Sequence, residues 1–180
     1  MIDSRVTDIC FREAIAADCV AVAEVHLRSW RESYAGIVPQ TFLDKMSVEN
    51  QAKAFETRFR DDSYKMYIAE LPERGVVGFA DFGQPRESIG AYEAELYAIY
   101  ILPKFQGKGV GEKLFNLVLE SLVRNGKSSM YLLALAVSPY KSFYEKMGGL
   151  IVGRKQIEIE GIVFETLVYG WESLLRRQAG

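Results

Sequence analysis

Pro103-Lys104-Phe105-Gln106-Gly107-Lys108-Gly109-Val110-Gly111 lies between an apolar run, Ala94 to Leu102, and an amphipathic one, Gly109 to Asn125. The first run carries a single charge, Glu95, and reads as a central strand covered on both faces and ended by Pro103. The second sets Leu114, Leu117, Val118 and Leu122 on one helical face, with Gly126 beyond its end. Glycines at alternate positions between them let the backbone turn tightly and let amides approach a ligand with no Cβ in the way. The helix start adds free N–H groups and the positive end of its dipole. The strand–loop–helix unit is therefore an anion site suited to a phosphate or pyrophosphate, with Lys104 and Lys108 as nearby cations.

Other glycine-rich phosphate loops do not fit. A nucleotide triphosphatase loop needs Gly-Lys followed by Ser or Thr after a four-residue gap, and that is missing. The dinucleotide fingerprint needs Gly-x-Gly-x-x-Gly early in a βαβ unit, whereas the spacing here is Gly107-x-Gly109-x-Gly111 beyond the chain's midpoint.

Outward from the loop, Ile9 to Ala14 reads as a first strand, and Asp18 as a cap for a helix carrying Val22, Val25, Leu27 and Trp30. Gly36 breaks that helix, Pro39 opens a short one, and Ser47 starts another with Ala54, Phe55 and Phe59 on its apolar face. Strands at Tyr64 to Leu71 and Val76 to Phe82 flank the turn Pro72 to Gly75, and Gly83 to Gly90 is a polar loop. Beyond the amphipathic helix come a buried strand, Met130 to Val137, and a helix opened by Ser138-Pro139 and stopped by Gly148. A closing hairpin, Ile151 to Ile159 and Ile162 to Trp171, turns at Glu160-Gly161. Linkers and repeats are absent, so residues 1–180 are expected to form one α/β domain.

Composition narrows the function. The chain has 180 residues, 49% of them hydrophobic, enough for a core without disulfide or metal staples. A net charge of −2 offers no basic field for nucleic acid. Cys10 and Cys19 form no Cys-x-x-Cys pair, and one histidine, His26, cannot build a two-histidine metal site, so no metal is expected. No Gly-x-Ser-x-Gly nucleophile signature accompanies His26, which reads as a packed or solvated helix residue. The N-terminus lacks the pattern of a signal peptide, and no run approaches ~20 apolar residues, so a cytoplasmic protein with no membrane partner is expected.

Gln106, Gly109 and Gly111 form a Gln-x-x-Gly-x-Gly pattern that resembles the pyrophosphate-binding segment of the general-control-related N-acetyltransferases, the GNAT family. The order of elements from Ile9 to Trp171 is similar to that family's, and the most specific matches lie from Glu95 onward. The resemblance implies a mixed, mostly antiparallel sheet flanked by helices, with two central strands splayed to admit the pantetheine arm of acetyl-CoA. It implies acetyl transfer from acetyl-CoA to a primary amine, directly within a ternary complex. A coenzyme A-binding sensor without turnover is the alternative.

Such a transfer needs an amine deprotonated, a carbonyl oxygen stabilised and a departing thiolate protonated. Glu95, eleven residues before Gln106, matches the position where the family often carries a catalytic carboxylate. A carboxylate in an apolar strand is also expected to titrate high, which suits a base acting directly or through water; Glu93 is the reserve. Phe143-Tyr144-Glu145-Lys146-Met147-Gly148 resembles the family's Phe-Tyr-Glu-Lys-x-Gly segment, which makes Tyr144 the acid facing the coenzyme sulfur. By helical spacing Tyr140 shares a face with Tyr144. The resemblance assigns coenzyme contacts to the backbone of Ile99, Tyr100 and Ile101, to Gln106, Gly107, Lys108, Gly109, Val110 and Gly111, and to Tyr140 and Lys146.

Two positions depart from the family pattern. Val137 stands where an asparagine is frequent, and Gly148-Gly149 where Gly-Phe often closes the helix. The segment Trp30-x-x-x-Tyr34-x-Gly36-Ile37-x-Pro39 resembles bacterial small-molecule and polyamine acetyltransferases and makes Trp30 and Tyr34 candidate acceptor contacts. Glu32, Asp81, Glu87 and Glu93 would favour a cationic amine such as a polyamine; a peptide amine is a further option. The apolar hairpin could pair subunits in a homodimer.

Overall fold

A computed structural model describes residues 8–175. Seven strands form one sheet in the order β1-β2-β3-β4-β5-β7-β6: β1 (Cys10–Glu13), β2 (Lys65–Leu71), β3 (Gly75–Gly83), β4 (Glu95–Ile101), β5 (Met130–Leu135), β6 (Leu150–Ile159) and β7 (Ile162–Trp171). All neighbours are antiparallel except β4 and β5. That single parallel pair needs a crossover, supplied by α4 (Val110–Arg124). The helices α1 (Cys19–Tyr34), α2 (Gln40–Lys45) and α3 (Val48–Arg58) precede β2, and α5 (Lys141–Lys146) follows β5.

Alternation along the strands splits the core between the two faces of the sheet. Ala69 and Ala80 point to the face that packs on Leu114, Phe115 and Val118 of α4. Ile68 and Phe79, one residue earlier in their strands, point to the face packed on Val22, Val25 and Phe55 of α1 and α3. A smaller cluster of Tyr34, Leu43, Leu135 and Ile159 seats α2 over the far end of the sheet.

The expected elements are present, with local differences. Asp18 does not cap α1: its carboxylate accepts the Ile15 N–H at 2.9 Å and grips Arg12 at 2.8 Å, tying β1 to the turn before the helix. Arg12 in turn holds the Asp18 carboxyl below the usual carboxylate range. Ser47 does cap α3, accepting the Asn50 N–H at 3.3 Å. α5 begins at Lys141, after Ser138-Pro139, because the Ser138 hydroxyl accepts the Tyr140 N–H and closes a turn of its own. Tyr140 is thus the N-cap of α5 and lies outside the helix. The β6–β7 hairpin turns through positive φ at Glu160 (50°) and Gly161 (79°), and Lys45 holds Glu160 at 2.9 Å.

The second glycine of Gly148-Gly149 has a packing reason. A Cβ on Gly149 would meet Trp171 Cζ2 at 2.7 Å, and the indole cannot swing away while its Nε1 donates to Met147 O at 2.7 Å. Gly149→Ala should therefore lower stability by about 1–3 kcal/mol. Thermal denaturation would register this as a fall in Tm of roughly 2–10 °C.

Candidate active site

β4 and β5 pair at one position, Glu95 opposite Tyr131, sealed by Tyr131 N–H to Ala94 O at 3.0 Å. Beyond it the strands diverge, while β3 stays paired with β4 from Gly83 to Gly78. The Leu102 N–H bonds to Val77 O on the β3 side. By strand alternation the N–H groups of Ile101 and Ile99 then face the gap, and that of Tyr100 faces β3. The Ile101 carbonyl, on the gap side, accepts from Gln106 Nε2 at 2.8 Å.

Two cavities open on this gap. The first, of about 280 Å³, is lined by Ile99, Ile101, Gln106, Tyr140, Phe143 and Lys146 together with Gly107, Gly109 and Gly111. Gly107 and Gly109 have φ of 68° and 82°, which an L side chain resists, and Gly109 is the N-cap of α4. The first intrahelical bond is Lys113 N–H to Gly109 O, so the amides of Val110, Gly111 and Glu112 have no partner inside the helix. The Val110 side chain packs into the core, leaving its amide as the group at the loop. Lys104 and Lys108 are exposed beside it, and Lys146 pairs with Glu112 at 3.2 Å across the cavity mouth. Tyr140 shares a 2.7 Å hydrogen bond with Ser33 and accepts weakly from Gln106 at 3.4 Å, which links α1 to the loop. Val137 is exposed and outside this lining.

The second cavity, of about 410 Å³, lies toward α1 and α3 and is lined by Trp30, Tyr34, His26, Arg58, Asp81 and Arg86, among others. Ile99, Tyr100 and Tyr144 line both cavities. Burial, reinforced by Tyr34, drives the Tyr144 phenol well above its ordinary range, so it stays protonated at neutral pH. His26 sits against the rings of Trp30, Phe55, Phe79 and Tyr100, and burial pushes it down to about 4, so it is neutral.

Glu95 is not where a free base would be. It is fully buried and lines neither cavity. Its oxygens accept from the Arg86 N–H (2.8 Å), Arg86 Nε (3.0 Å) and the Tyr131 hydroxyl (2.9 Å). Glu93 is also committed, to the Ser128 N–H and hydroxyl at 2.6 Å each. Of the other acids, Glu32 pairs with Arg28 and Glu87 with Lys155; Asp81 alone joins the second cavity. Sequence reading missed Arg58 and Arg86, which lie 5.9 and 4.9 Å from the Tyr97 ring. Neither sits in a motif; their only signal is the buried carboxylate that each one neutralises.

A splayed mixed sheet with an anion-binding helix start on one side and a second polar chamber on the other defines a coenzyme-dependent acyltransferase. The model of the acetyltransferase (GNAT) family matches residues 24–149. YuaI of Bacillus subtilis (strain 168), named as an uncharacterized N-acetyltransferase, is 33% identical over 167 residues, covering 92% of this chain and 94% of YuaI. The L-amino acid N-acyltransferase MnaT of Escherichia coli (strain K12) is 32% identical over 120 residues, 66% of each chain. YncA of Salmonella typhimurium, solved with its cofactor acetyl-CoA, superposes with a TM-score of 0.69 at 22% identity, covering 91% of this chain and 93% of that one. The chain belongs to the GNAT family and is an acetyl-CoA-dependent N-acetyltransferase.

The first cavity fits that coenzyme. Unpartnered amides at Val110 to Glu112 with two exposed lysines suit its phosphates, and the apolar walls of Ile99, Ile101 and Phe143 suit its arm. Among the described residues, no cluster of three or more metal-ligating side chains exists. Gly109→Val, which forces a branched side chain to φ 82°, should weaken acetyl-CoA binding about tenfold or more in a calorimetric titration.

Proposed function

We propose that this enzyme acetylates the primary amine of a small zwitterionic molecule, an α-amino acid or close relative, held in the second cavity. The observation that carries the reading is the meeting of the two cavities at Ile99, Tyr100 and Tyr144. Acceptor and coenzyme then reach one point from opposite sides, which supports direct transfer in a ternary complex. Neither cysteine lines either cavity, so no thiol relay stands between them.

Acetyl-CoA, when bound, supplies an acetyl group activated as a thioester. The gap-facing amides of Ile99 and Ile101 donate to the carbonyl oxygen where negative charge develops. Tyr144, kept protonated by burial, donates to the departing sulfur. Arg58 and Arg86 present guanidinium groups to an acceptor carboxylate, while Trp30 and Tyr34 pack its side chain. Glu95 positions Arg86.

A polyamine fits the chamber less well. It would bring two or more positive charges to a cavity with two guanidinium groups and one lining carboxylate, Asp81. MnaT, named as an L-amino acid N-acyltransferase, supports the zwitterionic choice. The homodimer suggested by the hairpin would bury Ile157, Ile162 and Val163, which are exposed on β6 and β7; sedimentation showing a monomer throughout would end that idea.

Thiol release with a panel of L-amino acids and spermidine tests the acceptor. Higher kcat/KM for an amino acid is expected, and a preference for spermidine would overturn the choice. Tyr144→Phe should lower kcat about 10²-fold while acetyl-CoA affinity stays within about twofold. An unchanged kcat would remove Tyr144 from the chemistry.

A further inference from the structure

Several buried polar atoms have no hydrogen-bond partner among the described residues, and Asp81 Oδ1, His26 Nδ1 and Thr166 Oγ1 are among them. All three residues line the second cavity. Buried polar groups are almost always satisfied, so a chamber lined with unsatisfied ones is built for a polar occupant. Asp81 is the only one of the three that carries a formal charge in its ordinary state at neutral pH, and leaving a charged group unmatched costs more than leaving a neutral one.

The Asp81 carboxylate is divided between two tasks. Oδ2 accepts from Arg58 Nη1 at 3.1 Å and from the Tyr64 hydroxyl at 3.0 Å, which fixes the plane of the group. Oδ1 accepts nothing, and the whole residue is closed to bulk solvent. Asp81 lies on β3 opposite Ala98, the residue before Ile99 where the two cavities meet. Around it stand Arg58 from α3, Tyr64 just before β2, Arg86 from the loop before β4, Tyr97 and Tyr100 from β4 and His26 from α1. Arg58 is held to Asp81 through Nη1 and Arg86 to Glu95 through Nε and Nη2, which leaves further N–H groups on each guanidinium, and His26 is neutral. Of the two unpartnered oxygens among the described residues that line this cavity, Asp81 Oδ1 and Thr166 Oγ1, only the first belongs to an acid.

We propose that Asp81 Oδ1 holds the ammonium group of the acceptor and takes its first proton, an inference that rests on the acetyl-transfer reading of this chamber. In that step one N–H bond of the ammonium breaks and one O–H bond forms on Asp81, leaving a neutral amine and a neutral carboxylic acid. No electrons change hands and no co-reactant is required. Burial raises Asp81 to about 6 against the opposing pull of Arg58 and Tyr64. That direction favours proton uptake relative to an ordinary carboxylate. It is also the group that Glu95, with both oxygens occupied, cannot be.

Ethylammonium is the minimal probe, because it has the reacting group and nothing else. Protein labelled with ¹³C at its aspartate carboxyl carbons would be titrated with ethylammonium chloride, and the Asp81 resonance assigned by its loss in D81N or, if that variant does not fold, D81E. The expected result is a shift of that resonance and a fall in its titration midpoint as ethylammonium is added. In parallel, D81N should lose about 100-fold or more in kcat/KM for ethylamine while its acetyl-CoA affinity, which also reports folding, is retained. A resonance indifferent to ethylammonium, or D81N acetylating ethylamine as fast as the native enzyme, would overturn the proposal. The NMR arm decides for the ammonium site even where ethylamine is a poor acceptor. A responding Asp81 with no amine in the panel raising thiol release above the amine-free rate would uphold that site while sinking the transfer reading.

Discussion

Two parallel strands that bond at one pair of residues and then separate are the constraint on which this molecule's centre depends. β4 is held along its length by β3, but its other edge meets β5 only at Glu95 and Tyr131. Each ladder bond forgone costs of order 0.5–1.5 kcal/mol, and backbone groups left bare in a core would cost more. Gln106 covers one of them, the Ile101 carbonyl, and thereby ties the phosphate loop to the strand before it. The remaining gap-facing amides of Ile99 and Ile101 are the polar groups that a bound thioester can use. A fully zipped sheet would be more stable and would have no passage between its faces.

The closed end of the fork has to be strong for the open end to exist. Tyr131 and Glu95 bond through backbone register and side chain together, and Glu95 also grips the backbone and guanidinium of Arg86. Glu93 does the same a strand-width away by bonding Ser128 just before β5. The loop from Gln84 to Ala94 is thus fastened at several points. Removing one partner of a buried ion pair strands a charge in the interior, so Glu95 and Arg86 stand or fall together. Asp81 and Arg58 repeat the arrangement on β3 and α3, with one oxygen left over. Both arginines line the second cavity, so each buried acid is paired with a group that also faces it.

Local sequence carried the elements well wherever the physical cause was local. The helical stripe of Leu114, Val118 and Leu122 and the alternation of the strands are patterns of burial that repeat within one element, and the core clusters follow them. Asp18 shows where this stops. It has the chemistry of a cap, but Arg12 from β1 competes for its carboxylate and wins, because a bidentate ion pair outweighs one helix-end hydrogen bond. Gly149 shows the same from the other side: only the approach of Trp171, at the far end of β7, explains why no side chain stands there.

A family resemblance singles out Tyr144 on α5; by itself the sequence determined the α/β order of elements and the glycine loop opening α4. Those depend on spacing, turn residues and amphipathic period, all readable over a few residues. Only the tertiary structure decided what the acids do. Glu95 looked free because its own strand holds no other charge; Arg86, nine residues earlier, and Tyr131, on the neighbouring strand, occupy it. In the sequence Asp81 is one of four acids grouped as favouring a cationic amine; burial beneath Arg58 and Tyr64, with one oxygen left unpartnered in a residue that lines the second cavity, sets it apart. A carboxylate's role depends on which donors surround it and on whether water can reach it, and both are properties of packed neighbours that are distant in the chain.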